Sequence, residues 1–302
     1  MHFIPKEQYH LGWDKARKPV LTVKPGETVV FETYDTCYGR VRSREQYLAY
    51  RESGVQSNPL TGPVAVEGAE PGHTLVIELL KIELDATGFQ LLGPNRAIVK
   101  DEYPDWMCYE VRVENNQIIL PTGVRLPANP VIGAFGVAPA AEPSRWSGPW
   151  GGNLDVPEVC AGARIHLPIE VSGGLFSMAD VHARQGDGEV VGAPEIGAKI
   201  TARFDLIRKP FCDWCMIEDA THWHTIVPNM DEFEAIRAGT FHNGKFIARE
   251  HNIALHDALI LLTMTNRLQV SRTFGWGPNP AVICCSFPKA VVRDAVKGYR
   301  RA

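Results

Sequence analysis

The sequence predicts a mainly β protein whose C-terminal part becomes mixed α+β: a β-sandwich-like N-terminal half followed by a mixed α+β subdomain. Three observations carry this expectation. Short runs rich in β-branched and aromatic residues recur through the first part of the chain, many of them alternating apolar with polar positions. Pairs such as Pro25-Gly26, Asn58-Pro59, Pro71-Gly72 and Asn115-Asn116 punctuate these runs with turn chemistry. Longer stretches with helical apolar spacing come only after residue 228. The division expected is 1–130 as the sandwich-like part and 131–302 as a catalytic hairpin plus α+β part, folded together as one unit.

In order, Leu21-Thr22-Val23 and Thr28 to Tyr34 read as strands around Pro25-Gly26. Val29, Phe31, Thr33 and Asp35 share one face, so Asp35 ends an otherwise apolar stripe and is a site candidate; the alternative is a turn cap leading into Thr36-Cys37-Tyr38-Gly39. Glu45 to Glu52 suits a short helix ending at Gly54. Val64 to Val66, Thr74 to Leu80, Ile98-Val99, Tyr109 to Val113 and Ile118 to Leu120 follow as strands. Residues 133–155 read as a long Gly/Pro-rich loop, and a long loop inside a compact domain commonly lines a site. Gly151-Gly152 there would let backbone approach a ligand closely, with Asn153 and Asp155 presented beside it; the alternative is a glycine turn in which Asp155 caps the next segment.

The run from Phe176 to Arg184 reads as a strand that places Asp180 and His182 on one face at i, i+2. Gln185-Gly186-Asp187-Gly188 has reversing-turn chemistry, and Glu189-Val190-Val191 would be the returning strand, bringing Asp187 and Glu189 back toward Asp180 and His182. Three carboxylates, an imidazole and a carboxamide in ten residues each need a partner or a metal if buried. The rival reading is a solvated hairpin with ordinary turn residues. Lys199 to Leu206 is a further strand, residues 229–239 a short helix ending at Gly239, residues 252–264 the longest helix, and Ala281 to Phe287 a final strand.

Two more motifs carry metal-ligand residue types. Cys212-Asp213-Trp214-Cys215 has CxxC spacing but no second pair or histidine set at ligand distance, and no βαβ context. His222-Trp223-His224 would put two imidazoles on one strand face; packing is the competing account. His10 lies in a His-x-x-Trp-Asp segment, where the ordinary expectation is a packed histidine.

The segments Asn58 to Gly72, Gly151 to Asp155, Leu167 to Val171 and Leu175 to Glu189 resemble the acetamidase/formamidase family, closely over about residues 8–207 and more loosely beyond. The resemblance implies a hydrolase that releases ammonia from formamide or a short aliphatic amide. It also favours site roles for His10, Gly152 and Asn153 at the substrate. With no Gly-x-Ser-x-Gly elbow and no Ser-x-x-Lys motif, a metal is the expected source of nucleophile and carbonyl polarisation, zinc first and calcium second. The expected arrangement is Asp180 and His182, with Asp155 or Asp35, on the metal; Glu189 as general base; and Asp187 and Gln185 in the catalytic turn. A cysteine nucleophile at Cys37 or Cys160, and a non-catalytic module binding small amides or metal, are the alternatives.

Net charge is −4, from 31 basic and 35 acidic residues without a block of either sign, which gives no footprint for nucleic acid or an anionic membrane. A small neutral substrate fits better. Seven cysteines without framework spacing suggest reduced thiols. Neither an apolar leader nor a run of roughly 18 apolar residues is evident. Together these predict a cytoplasmic protein, homodimeric or a higher homo-oligomer by base rate.

Overall fold

The longest strand, Thr74–Leu92, alternates buried Leu75, Ile77 and Leu79 with the more exposed Val76, Glu78 and Leu80, and pairs antiparallel with Glu195–Ile207 along nearly the whole of the latter. In this computed structural model, which describes residues 1–94, 98–99, 102–273 and 280–297, that pair is the spine of a mainly β molecule with an α+β C-terminal part. Glu195–Ile207 also pairs with Thr28–Thr33, while Arg164–Pro168 pairs with Thr74–Leu92. Phe31, Phe176 and Phe204 meet edge-on or tilted, with centroids 5.6–6.2 Å apart, in the main apolar cluster. Full burial of such a side chain is worth about 1.5–3 kcal/mol.

All seven residues of Phe176–His182 are buried, because the strand has partners on both edges. On one side lies Val131–Gly136; on the other, Leu60–Val66 near its start and Glu195–Ile196 at its end. Hydrogen bonding thus crosses residue 131 repeatedly.

Several expectations are corrected here. The stretch 133–155 is not one loop, since Val131–Gly136 and Gly151–Asn153 are strands paired with each other. The strand after His182 does not return at Glu189. A positive φ at Glu189 (43°) and a tight bridge between Val190 and Gly192 delay the return to Glu195, which pairs with His182. Ile98-Val99 lies in a turn.

In the C-terminal part, the helix expected over 229–239 runs through Glu232–His251, from an Asp231 cap to Asn252 in the left-handed conformation. Gly239 does not stop it. A Cβ there would meet Cys285 Sγ at 2.6 Å, so the glycine lets the helix lie close on the Ala281–Pro288 strand. Leu255–Thr265 forms the next helix, and a short Lys289–Lys297 helix follows the last strand. No helix among the described residues is long and apolar enough to cross a membrane.

Candidate active site and metal centre

Asp155, Asp180 and His182 converge. One ligating atom from each lies within 4.8 Å of the others, and all three residues are buried. His182 Nε2 stands 3.7 Å from Asp180 Oδ1, 4.0 Å from Asp155 Oδ1 and 3.9 Å from Glu195 Oε2. The group forms part of the wall of a cavity of about 450 Å³, together with Asn58, Asn153, Glu189 and Glu195 and the apolar faces of Trp13 and Leu60.

Backbone geometry makes the convergence. Asp155, Asp180 and Glu189 all have φ between 43° and 59°, the left-handed region that non-glycine residues seldom occupy. Such strain persists only where surrounding structure over-determines it, and it clusters at functional sites. Opposite them, Gly133 leaves the space the acids need. A Cβ at Gly133 would collide with Asp155 Oδ1 and come within 2.9 Å of His182 Cε1. Gly88 likewise makes room for the Glu195 backbone.

Hydrogen bonds set the electrostatics. Gln185 Nε2 donates to the carbonyls of Asp155 (2.6 Å) and Ser271 (3.2 Å), so its Oε1 faces His182 Nδ1 at 2.8 Å. An amide oxygen only accepts, hence Nδ1 carries a hydrogen and Nε2 is the atom directed at three carboxylates. A ring nitrogen held by a carboxamide while the other faces a cluster of acids is the usual support of a metal-ligating histidine. Burial alone would pull the imidazole's pKa down, yet Asp180, Glu195 and Asp155 more than reverse this and hold it well above its ordinary value. Burial is also the largest influence on Asp155, whose carboxyl is raised despite Arg272. For Asp180 burial acts in the same sense, but the nearby His182 imidazole and the hydrogen bond from Asn58 leave it below the usual range.

Asp155 divides its two oxygens. Oδ2 takes Asn153 Nδ2 at 3.0 Å and Arg272 Nη1 at 2.6 Å; Oδ1 is buried, has no hydrogen-bond partner and faces His182. A buried carboxylate oxygen left without a partner costs free energy that a cation would recover. Two aspartates and one imidazole form an O,O,N donor set suited to zinc and acceptable to other divalent ions. The residues present therefore fit a divalent metal.

The other sequence candidates lie as follows. Asp35 is not in the group, because its carboxylate is committed to its own turn: it accepts from the Cys37 and Gly39 N–H groups at 3.0 and 2.7 Å and pairs with Arg42 at 2.8 Å. Asp187 sits exposed at the turn tip, accepting from Gln269. Gly152 packs against the backbone of Trp146 and Ser147 and is not part of the cavity wall. His10 accepts from the Ser177 hydroxyl at 2.8 Å and donates to the Gly12 carbonyl at 2.7 Å, tying the N-terminal segment to the Phe176–His182 strand behind the site. Burial, followed by Arg17, pushes it down to about 4, so it is neutral.

Asn153 does face the cavity, and its Oδ1 accepts from Asn58, which also donates to Asp180. Cys37 lines the same cavity, while Cys160 is half-buried with its thiol pushed up by burial and by Glu158 and Asp219. Cys212 and Cys215 are buried, both thiols raised by desolvation, Cys212 to about 12.

Glu195, Arg272, Gly133 and Asn58 were not among the sequence candidates. Strand register gives Glu195 and tertiary contact gives Arg272, neither of which local spacing reports. The asparagine at position 58, before a proline, was read as turn punctuation and as the start of a family-like segment, not as a site residue.

A mainly β chain with a buried acid–imidazole cluster at a cavity defines a class, and comparison supplies the family. The Acetamidase/Formamidase family model matches residues 4–147 and 147–293, so the chain belongs to that family, and the match extends well past residue 207. A formamidase of Methylophilus methylotrophus is 25% identical over 67% of this chain and 64% of its own length. An acetamidase of Mycolicibacterium smegmatis is 26% identical over 66% of each chain. This chain thus spans about two thirds of the length of these relatives. The crystal structure of an acetamidase from Bacillus halodurans superposes with a TM-score of 0.91 at 29% identity, covering 97% of this chain and 99% of that one.

Proposed function

We propose that this protein hydrolyses the C–N bond of a small amide, formamide or a short aliphatic amide, with Asp155, Asp180 and His182 holding a divalent metal, zinc before calcium. The observation that carries the reading is the unpartnered, buried Asp155 Oδ1 facing His182 beside an open cavity. Family membership supports the reaction class.

An amide is a poor electrophile with a poor leaving group. A divalent cation at such a site lowers the pKa of water to about 7 and polarises a carbonyl. The chain's own residues do the rest. Asn153 and Asn58 lock the two aspartates through hydrogen bonds, and Gln185 fixes the His182 tautomer. Glu189, buried at the cavity wall, accepts a proton from the attacking water and passes it to the departing nitrogen. The sum is amide plus water giving carboxylate and ammonium. Glu195, paired with His182 across the strands, keeps the imidazole directed at the acids.

The test is ammonia release from formamide, acetamide and propionamide by metal-stripped protein, then after zinc or calcium is restored. Stripped protein should be inactive and zinc should restore it. Release that survives stripping but is lost in Cys37→Ala would favour the thiol reading, for which the place of Cys37 on the cavity wall is the supporting observation. Stabilisation by amide without product would leave a binding module.

The reading also takes the protein to be a cytoplasmic homodimer or higher homo-oligomer, which sedimentation tests for assembly. It takes 1–130 and 131–302 to fold as one unit, supported by the strand pairs that join them and tested by a single unfolding transition.

A further inference from the structure

We propose that Glu158, His224 and Cys284 form a second metal site, distinct from the cavity cluster and suited to a thiophilic divalent cation of the zinc type. One ligating atom from each lies within 4.8 Å of the others, and none of the three residues lines the cavity. His224 Nδ1 is 3.8 Å from Cys284 Sγ. Zinc with ordinary Zn–N and Zn–S lengths in a tetrahedral arrangement separates such donors by about 3.6 Å.

The imidazole is already prepared. Asp219 Oδ2 lies 3.0 Å from Nε2, and its Oδ1 accepts from the Thr221 and His222 N–H groups at 2.6 Å each. An ionised carboxylate only accepts, so Nε2 carries the hydrogen and Nδ1 offers its lone pair toward Cys284.

A plain hydrogen-bond network accounts for only part of the cluster. The Ser286 hydroxyl satisfies Nδ1 at 2.8 Å and touches Cys284 Sγ at 3.4 Å. Glu158 keeps a remainder: Oε1 accepts from Gln269 at 3.2 Å, but Oε2 is buried with no hydrogen-bond partner. A cation satisfies that oxygen and takes up Cys284 as thiolate, one proton passing to solvent for each metal bound. Three protein donors leave a fourth position for water.

The site joins parts of the chain far apart in sequence. Glu158 follows Asp155 by three residues, while Gln269, which holds Glu158, also donates to Asp187 at the tip of the turn that carries Gln185 and Glu189. A metal here would clamp the C-terminal strands to the turns that frame the cavity.

The experiment is cobalt titration of the stripped full-length protein, read by thiolate-to-cobalt charge-transfer absorption and by metal content. The Asp155, Asp180 and His182 group has no sulfur, and Cys284→Ser separates the band of the second site from any band due to the other thiols, Cys37, Cys212 and Cys215 among them. The expected result is a band in wild type that is retained in His182→Ala, saturating there near one equivalent, and abolished in Cys284→Ser. The thermal midpoint should rise by several degrees with metal in His182→Ala but not in the His182→Ala, Cys284→Ser double variant. A band that survives Cys284→Ser, or no band with at most one metal per chain, overturns the proposal. A cooperative thermal transition of stripped Cys284→Ser shows that the variant is folded.

Discussion

Among the described residues, two groups of metal-ligand residue types are built in opposite ways. The Asp155, Asp180 and His182 group is made of oxygen and nitrogen donors at an open cavity, shaped by left-handed backbone and by Gly133. The Glu158, His224 and Cys284 group includes sulfur and draws two of its members from regular paired strands, His222–Asn229 and Ala281–Pro288. The difference teaches where strain is placed. A group that must meet a substrate needs its donors on one side only, and unusual backbone achieves that. A group that ties strands together can use ordinary register.

Breaking the first group should have the largest effect. His182→Ala should reduce ammonia release by more than the factor of about 10–100 expected for its supporting residue in Gln185→Ala, both measured at saturating zinc. For stability, Asp155→Ala leaves the Arg272 guanidinium, only 1% exposed, without its carboxylate. Stranding a buried charge costs about 3–5 kcal/mol, and denaturant titration of metal-free protein should show a loss of that size.

The support behind the first group should show in acid. His10 has a folded pKa of about 4 against an ordinary 6.5, so between those values the unfolded chain binds more protons. Stability is then full above pH 6.5 and falls as pH drops toward 4, by about 3 kcal/mol in total. Unfolding free energies of wild type and His10→Gln across that window should differ in slope, the variant being flatter; parallel curves would contradict the assignment. Gly133→Ala sharpens the contrast further. Its methyl must displace Asp155 or His182, and overpacking of this kind costs about 1–3 kcal/mol, so metal affinity and ammonia release should fall while the protein stays folded. The smallest effect is Cys284→Ala in stripped protein, a small truncation costing about 1 kcal/mol, by thermal denaturation.

Much of this was legible in the sequence. Alternation and turn residues gave the β character, and the i, i+2 spacing put Asp180 and His182 on one face, while Asp155 stood beside Asp35 as alternatives and was favoured by the family resemblance rather than by spacing. What failed was anything decided by a partner strand. Glu189 was expected on a returning strand, yet its left-handed φ turns the chain away and Glu195 takes the place opposite His182. Arg272 arrives from 117 residues beyond Asp155, a distance over which periodicity carries no information. Asp35 shows the reverse failure: its spacing suited a ligand, but the N–H groups of its own turn and Arg42 take both oxygens. Gly239, read as a helix stop, is instead the flat spot on which the helix meets Cys285.

Glu158 lies in, and Asp155 immediately precedes, the short turn closed by the hydrogen bond from Val159 N–H to the Val156 carbonyl. Adding or deleting a single residue at 156–157 would rotate one carboxylate away from its group while the other stayed in place. In a stretch whose proline and neighbouring glycines suggest tolerance of length changes, this turn should be the least forgiving position for loop engineering.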